Sequence, residues 1–237
     1  NAVNTSDWFP TYAFNSSAVS VFGTYSIFER VYGPTDEFLN VYEKNDLRIQ
    51  PNQFFHWEYT NPNTGATWSS KNAGCWYYYD EDALLSTGKG TKDWNVYRYA
   101  EALLDGAEAI AQSQGVTAEA AGYLAQVQAR ADMEGKTADQ IASELQKLSK
   151  QAFIEACWTE RLREFPLEYK IWDDCVRTGK FPVISKTEAG RIDYINLVGA
   201  QNASGATFKE TDLLWPISVN EMQRNPSLTQ NPGYSAR

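Results

Sequence analysis

Histidine occurs once in this chain, at position 56, and that alone limits the available chemistry. A zinc site with two or more imidazole ligands cannot be assembled, and a Ser-His-Asp triad would have to use His56. Three cysteines, Cys75, Cys157 and Cys175, exclude full intramolecular pairing, and none forms a C-x-x-C. Cys157 and Cys175 fall in helical sequence and are expected as buried free thiols. One disulfide stays open if the protein is exported. The carboxylates Asp80-Glu81-Asp82 and Asp173-Asp174 do not match the calcium loop, which alternates oxygen ligands around a central Gly and ends in Glu. They are read as solvated faces or helix caps. Glu58, between Trp57 and Tyr59, is the carboxylate best placed for acid–base work on a sugar, but 30 acidic residues make chance candidates abundant. Ser86-Thr87-Gly88-Lys89-Gly90-Thr91 lacks the phosphate-loop spacing G-x-x-x-x-G-K-S/T and reads as a surface turn. No cofactor and no metal is implied.

The excess in this chain is aromatic: 8 Trp, 14 Tyr and 11 Phe among 237 residues. Residues 1–97 hold 21 of these rings, five of them Trp, in a stretch rich in Asn, Gly, Ser and Pro. A flat indole or phenol ring covers the C–H face of a sugar while nearby amides and carboxylates meet its hydroxyls. Nucleobases stack in a similar way, but a formal charge of −9 disfavours a phosphodiester ligand. The candidates for ligand contact are Trp8, Tyr12, Trp57, Tyr59 and Trp68, each beside Asp, Thr, Glu or His. Core packing is the competing reading, because large aromatics are mostly buried with their polar tips bonded. Tyr77-Tyr78-Tyr79 alternates like a strand and is taken as structural.

Three stretches must position these residues. Residues 1–97 read as loops, with a short helix after Pro34-Thr35-Asp36-Glu37, short strands near Val19–Phe28 and Trp76–Tyr79, and a turn at Asn61-Pro62-Asn63-Thr64-Gly65. Residues 98–179 read as helical hairpins. Tyr99, Ala102, Leu103, Gly106, Ala107 and Ile110 recur at helical spacing, with Arg98, Glu101, Asp105 and Glu108 opposite as a solvated stripe. After Gly115, Thr117 caps a second helix with Ala120, Ala121, Leu124, Val127 and Ala131 inward. Thr137-x-x-Gln140 is a capping box opening a third, with Ile141, Leu145, Leu148 and Ala152 inward and a break at Pro166. A fourth is expected over Leu167–Thr178, closed by Gly179. The hairpins have the size of tetratricopeptide repeats, but no clean 34-residue repeat is present. Residues 180–237 return to coil, with a short edge strand expected at Leu213–Ile217. No run of about 18 apolar residues occurs, and no signal peptide or lipid-attachment sequence opens the chain at Asn1.

Several segments resemble one family in order. Arg98-Tyr99-Ala100-Glu101-Ala102-Leu103-Leu104 resembles the "RYAEvLL" helix of the SusD/RagB family, and Leu124-Ala125-Gln126-Val127-Gln128-Ala129-Arg130-Ala131 its "iNqVRaRAg" helix. Glu160-Arg161-Leu162-Arg163-Glu164-Phe165 is similar to "ERrxEF", and Leu213 to Tyr234 to "LLPIPxxExxxNPxLxQNPGY". Pro34 to Arg48, with Tyr42 and Asp46, is similar to "PTxELvxxYxxxDxR". Two positions depart. Glu168-Tyr169-Lys170 stands where the family has Glu-Gly-x-Arg, and Trp215 is inserted in "LLPIP".

The resemblance implies a mainly α fold, with tetratricopeptide-like hairpins carrying a loop-rich, ligand-facing subdomain with a few short strands. It implies a non-catalytic, lipid-anchored protein at the cell surface of Bacteroidetes-type outer membranes, which binds glycans and delivers them to a SusC-like TonB-dependent transporter. Peptide or protein capture, or a purely structural docking module for the transporter, are the alternatives. Family members run about twice this length, so the chain is expected to be the C-terminal half.

Overall fold

The computed structural model describes residues 14–22, 32–75, 80–86, 90, 93 and 95–235. It is mainly α-helical with two small two-stranded sheets, as expected. The described residues up to Tyr169, with Ile184–Ile192, form one unit, and Lys170–Val183 with Asp193 onward form another. Boundaries drawn from composition, after 97 and 179, do not coincide with this division. Composition marks where rings and turns are dense, whereas a unit is set by which side chains pair.

In the first unit, α1 (Val19–Phe22) follows a 3-10 turn, and α2 (Asp36–Leu39) is capped by Thr35, whose hydroxyl accepts from the amide of Phe38 at 3.0 Å. The described part of the strand expected at Val19–Phe28 is therefore helical. β1 (Phe55–Thr60) and β2 (Thr67–Cys75) form an antiparallel hairpin with a register shift between His56 and Glu58. The turn read at Asn61–Gly65 closes it: Asn61 N–H donates to Ala66 O at 2.8 Å, and Gly65 takes φ 73°, which glycine adopts at little cost. α3 (Glu81–Ser86) follows, with the carboxylate of Asp80 accepting from Ala83 N–H at 3.1 Å. The strand expected at Trp76–Tyr79 lies outside the described residues.

α4 (Tyr99–Gln114) and α5 (Ala118–Ala131) form the expected antiparallel hairpin, and α6 (Ala138–Leu145) and α7 (Lys150–Glu164) pack against it. The capping box at Thr137 and Gln140 is formed. The single third helix is in fact two. Ser149 accepts from the amide of Ala152 at 3.2 Å and starts α7 afresh, which leaves Leu148 exposed. The apolar positions of α5 are buried as read, but α4 is rotated. Its buried face is Ala100, Glu101, Leu103, Leu104, Ala107, Glu108 and Ala111, while Tyr99 and Ala102 face solvent. The stripe of Glu101, Asp105 and Glu108 is thus not a solvated face. Arg161 of α7 binds Glu101 and Asp105 and brings that side of the helix inward.

In the second unit, α8 (Ile171–Thr178) is shorter than the expected helix because Leu167 and Tyr169 take φ of 61° and 60°, which a right-handed helix cannot include. Gly179 ends it in the left-handed conformation, as read. The stretch expected as coil contains β3 (Lys180–Ile184) paired with β4 (Ile192–Asn196), and α9 (Val219–Arg224) capped by Ser218. Leu213–Ile217 is not a strand.

Candidate functional site

The five ring residues read from sequence part company in the structure. Trp8 and Tyr12 lie outside the described residues. Trp57 is half-buried at the irregularity of β1, edge-on to Phe55 at 6.3 Å, with Glu58 exposed beside it. Tyr59 and Trp68 are only 8% and 3% exposed and belong to a core cluster with Phe14, Phe22, Val21 and Leu84. Tyr59 stacks on Phe22 at 4.5 Å, and its hydroxyl donates to Glu81 at 2.6 Å. Trp68 meets Phe14 edge-on at 5.2 Å, and its indole N–H donates to Asn15 and Ser17. Their polar tips are bonded and their faces covered, so these two rings support the hairpin and offer no open platform. Cross-strand pairing decides this: Tyr59 lies opposite Trp68, whereas Trp57 falls at the register shift between His56 and Glu58, which position in sequence does not reveal.

Four of the five segments that carried the family resemblance converge on one buried ionic cluster. Arg48 grips Asp46 with two nitrogens, at 2.9 and 2.7 Å, and reaches Glu160 at 2.7 Å and Glu164 at 3.0 Å. Glu164 is fully buried and accepts from three guanidiniums: Arg48, Arg98 at 2.9 Å, and Arg130. Arg98 also holds Glu168, at 2.8 and 3.1 Å, and lies 4.9 Å over the ring of Phe165. Burial opposes the charges on Arg48 and Arg98, yet the carboxylates around them hold both well above the usual arginine range. Tyr42, whose pKa burial pushes up, donates its hydroxyl to Arg163 O at 2.9 Å under the Arg48 guanidinium. A polar cavity of about 190 Å³ adjoins the cluster, bounded by Asp46, Arg48, Asp132, Lys136 and Glu160. Arg48 holds Asp46 and Glu160 there and Lys136 holds Glu134 and Glu144, while Glu160 Oε2 is buried without a hydrogen bond; no group of metal-binding side chains occurs among the described residues. This cluster ties the loop-rich part of the chain to the hairpins.

Among the described residues, exposed indoles border a cavity in the second unit, while Tyr97, Tyr99 and Tyr169 are exposed in the first. Trp215 is 87% exposed, and with Trp172 it borders a cavity of about 270 Å³. Sequence reading missed this because Trp172 has the spacing of an inward residue on α8 and Trp215 sits in a scaffold element. The departure of Trp215 from the family pattern was the one available sign. Cys157 and Cys175 are buried thiols outside any disulfide, as expected. Burial, then the charge of Asp174, pushes the Cys175 thiol up to about 11, so it is protonated and unreactive at neutral pH.

A helical hairpin locked by an arginine–glutamate cluster, with a β-hairpin and loops attached, is a mainly α class of fold. The model of the SusD family matches residues 56–234, and this chain belongs to that family. A SusD superfamily protein from Parabacteroides distasonis, known from its crystal structure, is 31% identical with a TM-score of 0.68. The similarity covers 85% of this chain and 42% of that one, so this chain spans less than half the length of that relative. No curated protein matches.

Proposed function

We propose that this chain takes part in non-catalytic capture of glycans at the outer-membrane surface, with delivery to a SusC-like TonB-dependent transporter and a lipid anchor holding the full-length protein. The observation that carries this reading is family membership over residues 56–234. Ligand contact falls to Trp57 with Trp8 and Tyr12, while Tyr59 and Trp68 hold the β1–β2 hairpin rigid from behind. The commitment of Glu160, Glu164 and Glu168 to arginines supports binding and not turnover. Among the described residues no helix is long and apolar enough to cross a membrane, which accords with attachment through an anchor.

Isothermal titration against a panel of polysaccharides tests the reading. A glycan is expected to bind, and Trp57→Ala is expected to weaken it roughly tenfold, equivalent to about 1.4 kcal/mol of stacking. Binding of peptides with no glycan bound would instead make this a peptide-capturing member.

A further inference from the structure

We propose that the second unit contains a sugar-ring subsite of its own, in which Trp215 and Trp172 cover a neutral pyranose while Asn202 and Asp212 hold two of its hydroxyls. The proposal rests on the glycan reading above and adds a site to it. The cavity is built entirely from this unit, with walls of Trp172, Phe208, Leu214, Trp215 and Tyr234. Its frame is fixed. Phe208 sits between Trp172 at 5.6 Å and Phe181 at 5.3 Å. The Tyr234 hydroxyl donates to the carbonyls of Thr211 at 2.7 Å and Leu214 at 3.0 Å, and the Asn231 amide donates to Trp215 O at 2.6 Å. The backbone that carries Trp215 is therefore anchored, while its indole, 87% exposed, is left in water. Leu214, at 55%, is also exposed. An anchored but uncovered indole beside a concave apolar wall is an arrangement that gains free energy only when something covers it.

The polar groups select what covers it. Asn202 Oδ1 is occupied by the amides of Ser204 and Ala206, both at 3.0 Å, which leaves its Nδ2 as a donor. Asp212 Oδ2 accepts from Lys209 N–H at 2.8 Å, which leaves Oδ1 as an acceptor. One donor and one acceptor at the rim of an aromatic cavity match a pair of sugar hydroxyls, since each hydroxyl both donates and accepts. Among the described residues no Lys or Arg lines the cavity and one carboxylate does, so phosphorylated or acidic sugars are disfavoured. A quaternary ammonium would also favour these rings and Asp212, but it gives the Asn202 donor nothing to bind.

The test uses the full chain with neutral glucan, xylan and mannan oligosaccharides. The side-chain N–H resonances of Trp172 and Trp215, assigned with Trp172→Phe and Trp215→Ala, are followed by NMR during titration, beside calorimetry. Trp215→Ala alters an exposed ring, and its backbone spectrum reports whether the fold is kept. The expected result is a shift of both indole resonances, a roughly tenfold loss of affinity at this subsite in Trp215→Ala and Asp212→Asn, and recovery of most of it in Trp215→Tyr. Oligosaccharide binding that leaves both resonances unmoved overturns the subsite and leaves the glycan reading standing. No binding by any oligosaccharide overturns both. Shifts caused by tetramethylammonium and not by sugars overturn the sugar assignment in favour of a cation cage.

Discussion

Glu164 is fully buried among three guanidiniums, and Arg48 bridges it to Asp46 and Glu160. Removing one member of such a cluster strands the remaining charges in a poorly solvating interior. Arg48→Ala is expected to lower stability by about 3–5 kcal/mol, read as a fall in the urea midpoint. His56 makes a different residue-scale prediction. Burial lowers its pKa from 6.5 to about 4, so the unfolded chain binds a proton that the folded chain refuses. The His56 contribution to stability is complete above about pH 6.5 and is lost as the pH falls toward 4. About 2–3 kcal/mol of that loss is assigned to this group. Unfolding curves at pH 7, 5.5 and 4.5 should show the acid-side decline shrinking by that amount in His56→Gln; an unchanged decline would remove His56 as its cause.

At the scale of elements, local chemistry sets where helices start and stop. Thr137→Ala breaks the capping box of α6 and should cost about 1 kcal/mol. Tyr169 holds φ 60° where the family pattern has Gly, and its side chain is exposed. Tyr169→Gly should therefore raise stability by about 0.5–1 kcal/mol, checked by thermal denaturation. Caps of this kind were legible: Thr117, Thr137 and Gly179 all act as read. Ser149 was missed because the apolar periodicity runs through it, and only the hydroxyl-to-amide bond marks the new start. The face of α4 was also misread. Its charged stripe looks solvated until α7 supplies Arg161, so Glu101→Lys, which sets a cation against that guanidinium, should destabilise the fold by about 3 kcal/mol.

At the scale of the molecule, the ionic cluster and the proposed ligand contacts are different parts. Arg98, Arg130, Glu160, Glu164, Asp46 and Arg48 come from four separate segments and meet in one cluster. They specify the scaffold, and the proposed ligand contacts are built outside them. Binding without turnover has a direct check: an oligosaccharide incubated for days with the protein should be recovered intact by chromatography, and any shortened product would mark an enzyme.

The sequence by itself determined the helical class, the caps, the order of the motifs and the family they indicate, because these depend on neighbours within a few residues. It also determined the excess of rings, but not which rings lie open. Tyr59 and Trp68 became core, and Trp215 an exposed wall, only when the chain folded. Burial depends on which distant surfaces arrive at a side chain, as Arg161 of α7 arrives at Glu101 of α4, and that arrival alters no local propensity.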